Sequence, residues 1–358
     1  MDIRKRYELI KEVGEEVITD SELLELLNKK KKFVSYDGFE PSSRLHIAQG
    51  ILRAININKM IKAGAHFKML VADWHAWANN KLGGDLEKIQ IAGKYFIEVW
   101  KSCDMDLDGV EFVFANDLVD DPEYWKIVMQ VARNNTLNRI IRCSQIMGRK
   151  ENDVLSAAQI FYPCMQCADI FYLNADVTQL GLDQRRVNVL AREIGPYLGF
   201  WKPVVVSHHM LMGLLEPKTQ TKNALERAVE LKMSKTNLSS AIFMTDSTRE
   251  IKEKISRAYC PAKVAEENPI LEYCKYIIFE RFKELKIERS SKFGGDITLE
   301  SYHSLKEKYQ RGEIHPLDLK NSVSYYIDKL IEPTRRHFEK NKKAAELLAQ
   351  VSMFNVTR

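Results

Sequence analysis

The chain has 358 residues, enough for about two domains. Its composition, 45% hydrophobic and 29% charged, is that of an ordinary globular core, and the absence of any run of about 18 uncharged apolar residues excludes a membrane-spanning helix. The net charge of +5 gathers in the last third, where residues 241–358 hold 22 Lys and Arg against 18 Asp and Glu, a balance that fits a polyanionic partner or a solvated helical surface. The N-terminus, MDIRKRYELIKEVGEEV, is too charged for a secretory signal. Six scattered cysteines, at 103, 143, 164, 167, 260 and 274, read as reduced thiols of a cytoplasmic protein rather than a disulfide framework.

Residues 1–32 read as helical. Thr19-Asp-Ser-Glu22 forms a capping box ahead of Leu23, Leu24, Leu26 and Leu27, and the run Lys29–Lys32 sits at a helix end that favours positive charge. From residue 33 the pattern alternates between strand and helix. Strands are predicted at 33–37, 66–73, 110–116 and 203–208, with a short one near 176–179. Helices are predicted at 45–63 and at 85–102, the latter capped by Asp85. Near-continuous apolar strands separated by helices imply a parallel sheet covered on both faces, an α/β unit of Rossmann type over 33–240. A helical stretch over about 122–160 interrupts it as an insertion. After 240 the strand signals fade. Helices at 246–259 (N-cap Asp246 or Ser247), 269–284, 300–311 and 316–349 predict a separate all-α domain over 241–358. There is no internal repeat, and no appended module is expected after Arg358.

Two stretches carry chemistry. In FVSYDGFEPSSRLHIAQG (Phe33–Gly50) a strand meets a turn and feeds a helix with His46 in its first turn. Such a junction binds anions, because free backbone N–H groups and the positive end of the helix dipole face the crevice. In LKMSKTNLSS (Leu231–Ser240) two lysines flank a serine after the last strand. Lysine is a mobile point charge on a long stem, suited to phosphates that move during a reaction, although two lysines alone are more often plain surface.

Together these strings resemble the signatures of the class I aminoacyl-tRNA synthetases, in detail the tyrosyl enzymes of archaeal/eukaryotic type. His46-Ile-Ala48-Gln49 stands in the place of His-Ile-Gly-His, and Lys232-Met-Ser234-Lys235-Thr in that of Lys-Met-Ser-Lys-Ser. The resemblance runs through Tyr36-Asp-Gly-Phe-Glu-Pro-Ser, Tyr162-Pro-Cys-Met-Gln166, Gly181-Leu-Asp183-Gln184-Arg, Lys292-Phe293-Gly-Gly-Asp296 and His315-Pro-Leu-Asp318-Leu-Lys. It implies a Rossmann-type catalytic domain followed by an all-α anticodon-binding domain. It implies a tyrosine–tRNA ligase that forms tyrosyl-adenylate from L-tyrosine and ATP, with Mg on the ATP phosphates, and then esterifies the terminal adenosine of tRNA(Tyr). In-line displacement of this kind relies on positioning and charge neutralisation.

The resemblance also implies site residues. His46, Lys232 and Lys235 would act on the phosphates. Ala48, Gln49, Gly181, Asp183 and Ser234 would complete the ATP site, with Asp183 accepting from the ribose. Tyr36 and Asp169 would bond the phenol hydroxyl of the substrate, with Tyr162, Gln166 and Gln184 around its amino and carboxyl ends. Phe293, His315 and Asp318 would read the first anticodon base. A homodimer would form at the insertion near 134–147, using Ile140, Ile141 and Ile146. No protein-bound metal is expected: Cys164-Met-Gln-Cys167 lacks a second ligand pair. His208-His209 ends a strand near ATP rather than holding a metal. Other readings stay open. Tyr36 on a strand also suits core packing, Asp318 after Pro316 also suits a helix N-terminus, and Asp169 in an apolar helix needs a partner. A tryptophanyl-tRNA synthetase shares both signatures. Ala48 and Gln49 would also suit an inactive RNA- or protein-binding paralogue. A nucleotidyltransferase would leave the basic helical third without a task.

Overall fold

The computed structural model describes residues 1–148, 154–217, 224–233 and 238–354. The chain begins with α1 (Ile3–Val13), β1 (Gly14–Ile18), α2 (Asp20–Lys29), β2 (Phe33–Phe39), α3 (Ile51–Lys62), β3 (Ala65–Val71), α4 (Asp73–Ala78), α5 (Leu86–Lys101) and β4 (Val110–Phe114). It continues with α6 (Ala115–Val119), α7 (Pro122–Arg133), α8 (Leu137–Cys143), α9 (Ala157–Tyr172), β5 (Val177–Thr178), α10 (Arg185–Ile194), β6 (Val204–His208) and α11 (Ala224–Leu231). The last part holds α12 (Thr248–Arg257), α13 (Pro269–Tyr273), α14 (Phe279–Arg281), β7 (Leu285–Ile287), β8 (Ile297–Leu299), α15 (Tyr302–Arg311), α16 (Pro316–Lys340) and α17 (Lys342–Ser352).

Six strands form one sheet in the order β1-β6-β5-β2-β3-β4, parallel except for β1. The chain leaves β2 toward β3 and β4 on one side, then returns to β5 and β6 on the other. The order therefore reverses between β2 and β5, where open α/β sheets leave a crevice at the carboxyl ends of the strands. Alternation along β2 divides the core. Phe33 and Phe39 join a cluster with Phe67, Met69, α3, α5 and the C-terminal helices, while Tyr36 and Leu70 join a cluster with α7, α9 and α10. The first cluster is continuous from Ile10 to Val351, so the C-terminal helices pack onto the sheet layer.

Several expectations are met in detail. Thr19 and Glu22 form the capping box, and Asp85 caps α5. Others need correction. Residues 14–18 are not helical: β1 pairs antiparallel with β6, its Gly14 lying so close to the neighbouring strand that a Cβ would come 3.0 Å from Val206. The predicted helix at 45–63 begins only at Ile51, because residues 45–47 are drawn into backbone bonds with 242–244, including Ile47 N–H to the Ile242 carbonyl at 2.8 Å. His46 therefore precedes the helix, bridged to Phe243, rather than lying in its first turn. Gly50 permits this approach, since a Cβ there would sit 2.6 Å from Met244 Sδ. Ser247, not Asp246, caps α12, and Asp246 instead accepts from the Phe243 N–H and pairs with Lys254. The helix predicted at 316–349 breaks at Asn341, whose side chain caps α17. The C-terminal region is helical as expected but carries a short antiparallel ribbon, β7–β8.

Candidate functional site

A crevice of about 760 Å³ opens at the carboxyl ends of the strands, within the size range of small-molecule sites. Tyr36, His46, Ala48, Gln49, Tyr162, Gln166, Asp169, Gly181, Asp183, Gln184 and Lys232 all line it, although they come from distant parts of the chain. Ser234 and Lys235 lie outside the described residues.

On the α9 face, Tyr36 and Asp169 are each 1% exposed. Burial, and then the Asp169 carboxylate, hold the Tyr36 hydroxyl well above its ordinary pKa. Asp169 is already engaged. Tyr124 donates to its Oδ1 at 2.8 Å, and His75 Nε2 lies 2.9 Å from its Oδ2, off the line of a good hydrogen bond. Burial opposes a charge on His75, but the adjacent Asp169 outweighs it and the ring's pKa is raised. A buried carboxylate thus faces a histidine whose protonated form it favours, before any ligand arrives. The His75 ring meets Tyr162 edge-on at 5.2 Å. Nearby, Gln166 Nε2 donates to Gln184 Oε1 at 3.1 Å, and Gln184 Nε2 donates to the Ile146 carbonyl at 3.2 Å.

The opposite face is polar for a different reason. Asp37 points away from Tyr36 and lies 3.2 Å from Arg53 on α3, a residue 1% exposed. Burial raises the Asp37 carboxyl to about 7 against the pull of Arg53. Arg53 also donates to Gln179 Oε1 at 2.7 Å and lies 3.1 Å from His208 Nδ1. Across the crevice Lys232 pairs with Asp183 at 2.7 Å, and that carboxylate is the first cause of the raised lysine pKa. The two residues expected on phosphate and on ribose therefore pair with each other in this structure. Lys232 is held by a short backbone ladder: Gly213 N–H to the Leu231 carbonyl at 2.8 Å and Met233 N–H to the Leu211 carbonyl at 2.9 Å.

His208 and His209 have separate fates. His208 is buried beside Arg53. His209 stacks on Tyr276 at 4.1 Å and lies 3.1 Å from both Glu15 and Glu272. Burial works against its charge, yet the two carboxylates raise it to about 9. Glu272 also accepts the Met212 N–H at 3.0 Å, which ties α13 to the segment carrying that ladder. Among the described residues no group of three or more His, Cys, Asp or Glu could hold a metal ion. Cys164 and Cys167 are buried thiols of α9.

Sequence reasoning missed Asp37, Glu40, Arg53, His75, Tyr124 and Gln179. Glu40 accepts from Asn79 at 3.0 Å, faces Lys81 at 3.5 Å and helps raise the Tyr162 pKa after burial. A signal existed for three of these: Asp37 and Glu40 lie inside the Tyr36-Asp-Gly-Phe-Glu string, and His75 follows a parallel strand at its carboxyl end, where ligands bind.

The expected anticodon residues lie outside the crevice. His315 caps α16 with Nδ1, accepting the Leu317 N–H at 3.2 Å, and Asp318 lies in the first turn. Arg289 donates to the carbonyls of Gly295 at 2.8 Å and Glu313 at 2.6 Å, so the loop after β7 adjoins the start of α16. The side chain of Phe293 lies outside the described residues. In the helical insertion, Ile140 and Ile146 are 4% and 6% exposed. These two pack inward and Ile141 is half-buried, so the three do not form the surface patch expected of them; Met129, Leu137 and Val154, and Phe161 just after the insertion, are exposed instead.

Comparison with known proteins extends over the whole chain. The family described as tRNA synthetases class I (W and Y) matches residues 28–332. Tyrosine–tRNA ligase 1, cytoplasmic, of Arabidopsis thaliana is 49% identical over 360 residues, covering 100% of this chain and 90% of that protein. The tyrosine–tRNA ligase of Thermococcus kodakarensis is 40% identical over 373 residues, covering 99% and 100%. The crystal structure of tyrosyl-tRNA synthetase complexed with L-tyrosine from Pyrococcus horikoshii matches with a TM-score of 0.91 at 38% identity, covering 98% of this chain and 100% of that one.

Proposed function

The chain belongs to the class I tRNA synthetases, among the tyrosine–tRNA ligases, and from that premise we propose how its crevice divides the reaction. L-Tyrosine lies on the α9 face with its hydroxyl between Tyr36 and Asp169, and Tyr162, Gln166 and Gln184 hold its amino and carboxyl ends. ATP lies on the α3 face as its magnesium complex. Asp183 accepts from the ribose, Ala48, Gln49 and Gly181 border the nucleotide, and His46, Lys232, Ser234 and Lys235 meet the phosphates. The tyrosine carboxylate attacks the α-phosphate, pyrophosphate leaves, and tyrosyl-adenylate then esterifies the terminal adenosine of tRNA(Tyr). Lys232 and Lys235 neutralise the charge of the departing pyrophosphate.

The observation that carries this reading is the buried Asp169, faced by His75 at 2.9 Å and bonded by Tyr124 in the crevice. A fixed acceptor there suits a phenol O–H. An indole would present its single N–H from a larger ring, which weighs against the tryptophanyl alternative. The Lys232–Asp183 pair weighs against an inactive paralogue. Six free cysteines support a cytoplasmic location. In pyrophosphate exchange the wild type is expected to respond to tyrosine and not to tryptophan. Tyr36→Phe and Asp169→Asn should each narrow the tyrosine-to-phenylalanine preference by about tenfold or more, the worth of a lost buried hydrogen bond. Unchanged selectivity in both variants contradicts the assignment.

Residues 241–358 form the anticodon-binding unit in this reading. The arrangement that supports it is the loop of β7–β8, with Lys292 and Phe293, tied by Arg289 to the helix start that bears His315 and Asp318. Unpaired bases are read by stacking and by their exposed edges, and a carboxylate suits the two donors of guanine. Asp318→Ala should lose charging of wild-type tRNA and narrow its advantage over a tRNA altered at that base, with tyrosine activation intact. A preserved preference leaves Asp318 as a helix-start residue only. The exposed Met129, Leu137, Val154 and Phe161 support a homodimer built on the 122–160 insertion. Sedimentation at micromolar concentration should give twice the protomer mass, and a stable monomer removes the proposal.

A further inference from the structure

His208 ends β6 with its ring 9% exposed, and it has no role in the reading above. Two groups converge on its Nδ1: Arg53 Nη1 at 3.1 Å and Gln179 Nε2 at 3.0 Å. A guanidinium has no acceptor. The carbonyl end of Gln179 is already taken by Arg53 Nη2, so the end facing His208 is the NH₂. With two donors on Nδ1, that atom must present its lone pair, and the ring's one proton resides on Nε2. Burial, followed by the neighbouring Arg53 charge, depresses the pKa well below the ordinary histidine value, in keeping with a ring that stays neutral.

His208 lines the crevice, and a methyl group built on Gly181 would lie 3.5 Å from His208 Nε2, 2.6 Å from Asp183 Oδ1 and 2.6 Å from Met210 Sδ. A fixed N–H donor and a carboxylate acceptor thus flank the same glycine. Lys232 occupies the other carboxylate oxygen, Oδ2. A phosphate oxygen, which only accepts, would meet His208 well but would be repelled by Asp183. A hydroxyl accepts from one and donates to the other.

On the reading of this crevice as an ATP site, we infer that His208 Nε2–H donates to a ribose hydroxyl of the bound nucleotide, the same hydroxyl that donates to Asp183. Arg53 and Gln179 act as positioning residues by fixing the tautomer. The pair makes the site select a ribonucleotide.

The test is tyrosine-dependent pyrophosphate exchange with ATP, 2′-deoxy-ATP and 3′-deoxy-ATP. The wild type should use one deoxy analogue at least about tenfold less well than ATP in kcat/KM. His208→Asn keeps an acceptor where Nδ1 stood, for Arg53, but cannot reach the ribose. It should lose about tenfold with ATP, change little with that analogue, and leave tyrosine affinity unaltered. His208→Gln, which restores an amide N–H near the Nε2 position, should recover most of the preference. A merely structural role would lower all three nucleotides together, and that result overturns the inference. So does a wild type that uses both deoxy analogues as well as ATP, a measurement that needs no variant to fold. A wild type with no tyrosine-dependent exchange at all removes the functional reading itself and the inference with it, a result distinct from exchange that ignores the ribose hydroxyls.

Discussion

The guanidinium of Arg53, on the first helix after the crevice-forming turn, lies 3.2 Å from Asp37 on β2, 2.7 Å from Gln179 after β5 and 3.1 Å from His208 at the end of β6. It rests between the rings of Phe39 and Phe67, 5.9 and 5.7 Å from their centroids. A cation this buried persists only where acceptors surround it. Three of the strand ends that frame the crevice therefore converge on one charge. Burial works against both members of the Arg53–Asp37 pair, lowering the arginine pKa and raising that of the acid. Removing one partner from such a pair typically costs about 3–5 kcal/mol, so the arrangement tolerates little change.

The constraint also sets polarity. His208, whose Nδ1 accepts from Arg53 and from the Gln179 amide, is left with its one donor on Nε2. Because neighbours on a strand point to opposite faces, Tyr36 faces the α9 side while Asp37 faces Arg53. One strand thus borders two chemically different halves of the crevice, one with Asp169 and His75 and the other with His208 and Asp183. Lys232 borders the latter through its pair with Asp183. Its backbone ladder to residues 211–213, and the bond from Met212 N–H to Glu272, connect α13 to the Lys232 side of the crevice.

Much of this was legible in the sequence. The apolar runs located five of the six sheet strands, and the capping residues located helix starts, because both signals are local. β1 was not legible: Gly14-Glu-Glu-Val-Ile18 continues the charged amphipathic pattern of α1, and only its backbone pairing with β6 makes it a strand. The ribbon of β7 and β8 is three residues per strand, below the length at which alternation is readable. His46 was placed one turn too far into a helix because the bonds that unwind residues 45–47 come from 242–244, about 200 positions away. The family strings named the residues that line the crevice but not the buried side chains that orient them. Tyr124, Arg53 and Gln179 act through partners distant in sequence, and nothing in their local pattern separates them from ordinary core. Ile140 and Ile146 show the converse: apolar spacing cannot say which side of a helix meets its own core and which meets a second copy.

The claim that one buried cation dictates the polarity of the crevice is tested most directly by nitrogen NMR of the His208 ring in the unaltered protein, assigned through His208→Asn and followed across the neutral pH range. A pyridine-like Nδ1 and a protonated Nε2, with no titration between pH 6 and 8, is the expected result. A proton on Nδ1, or a ring that titrates near the ordinary histidine value of about 6.5, would contradict it.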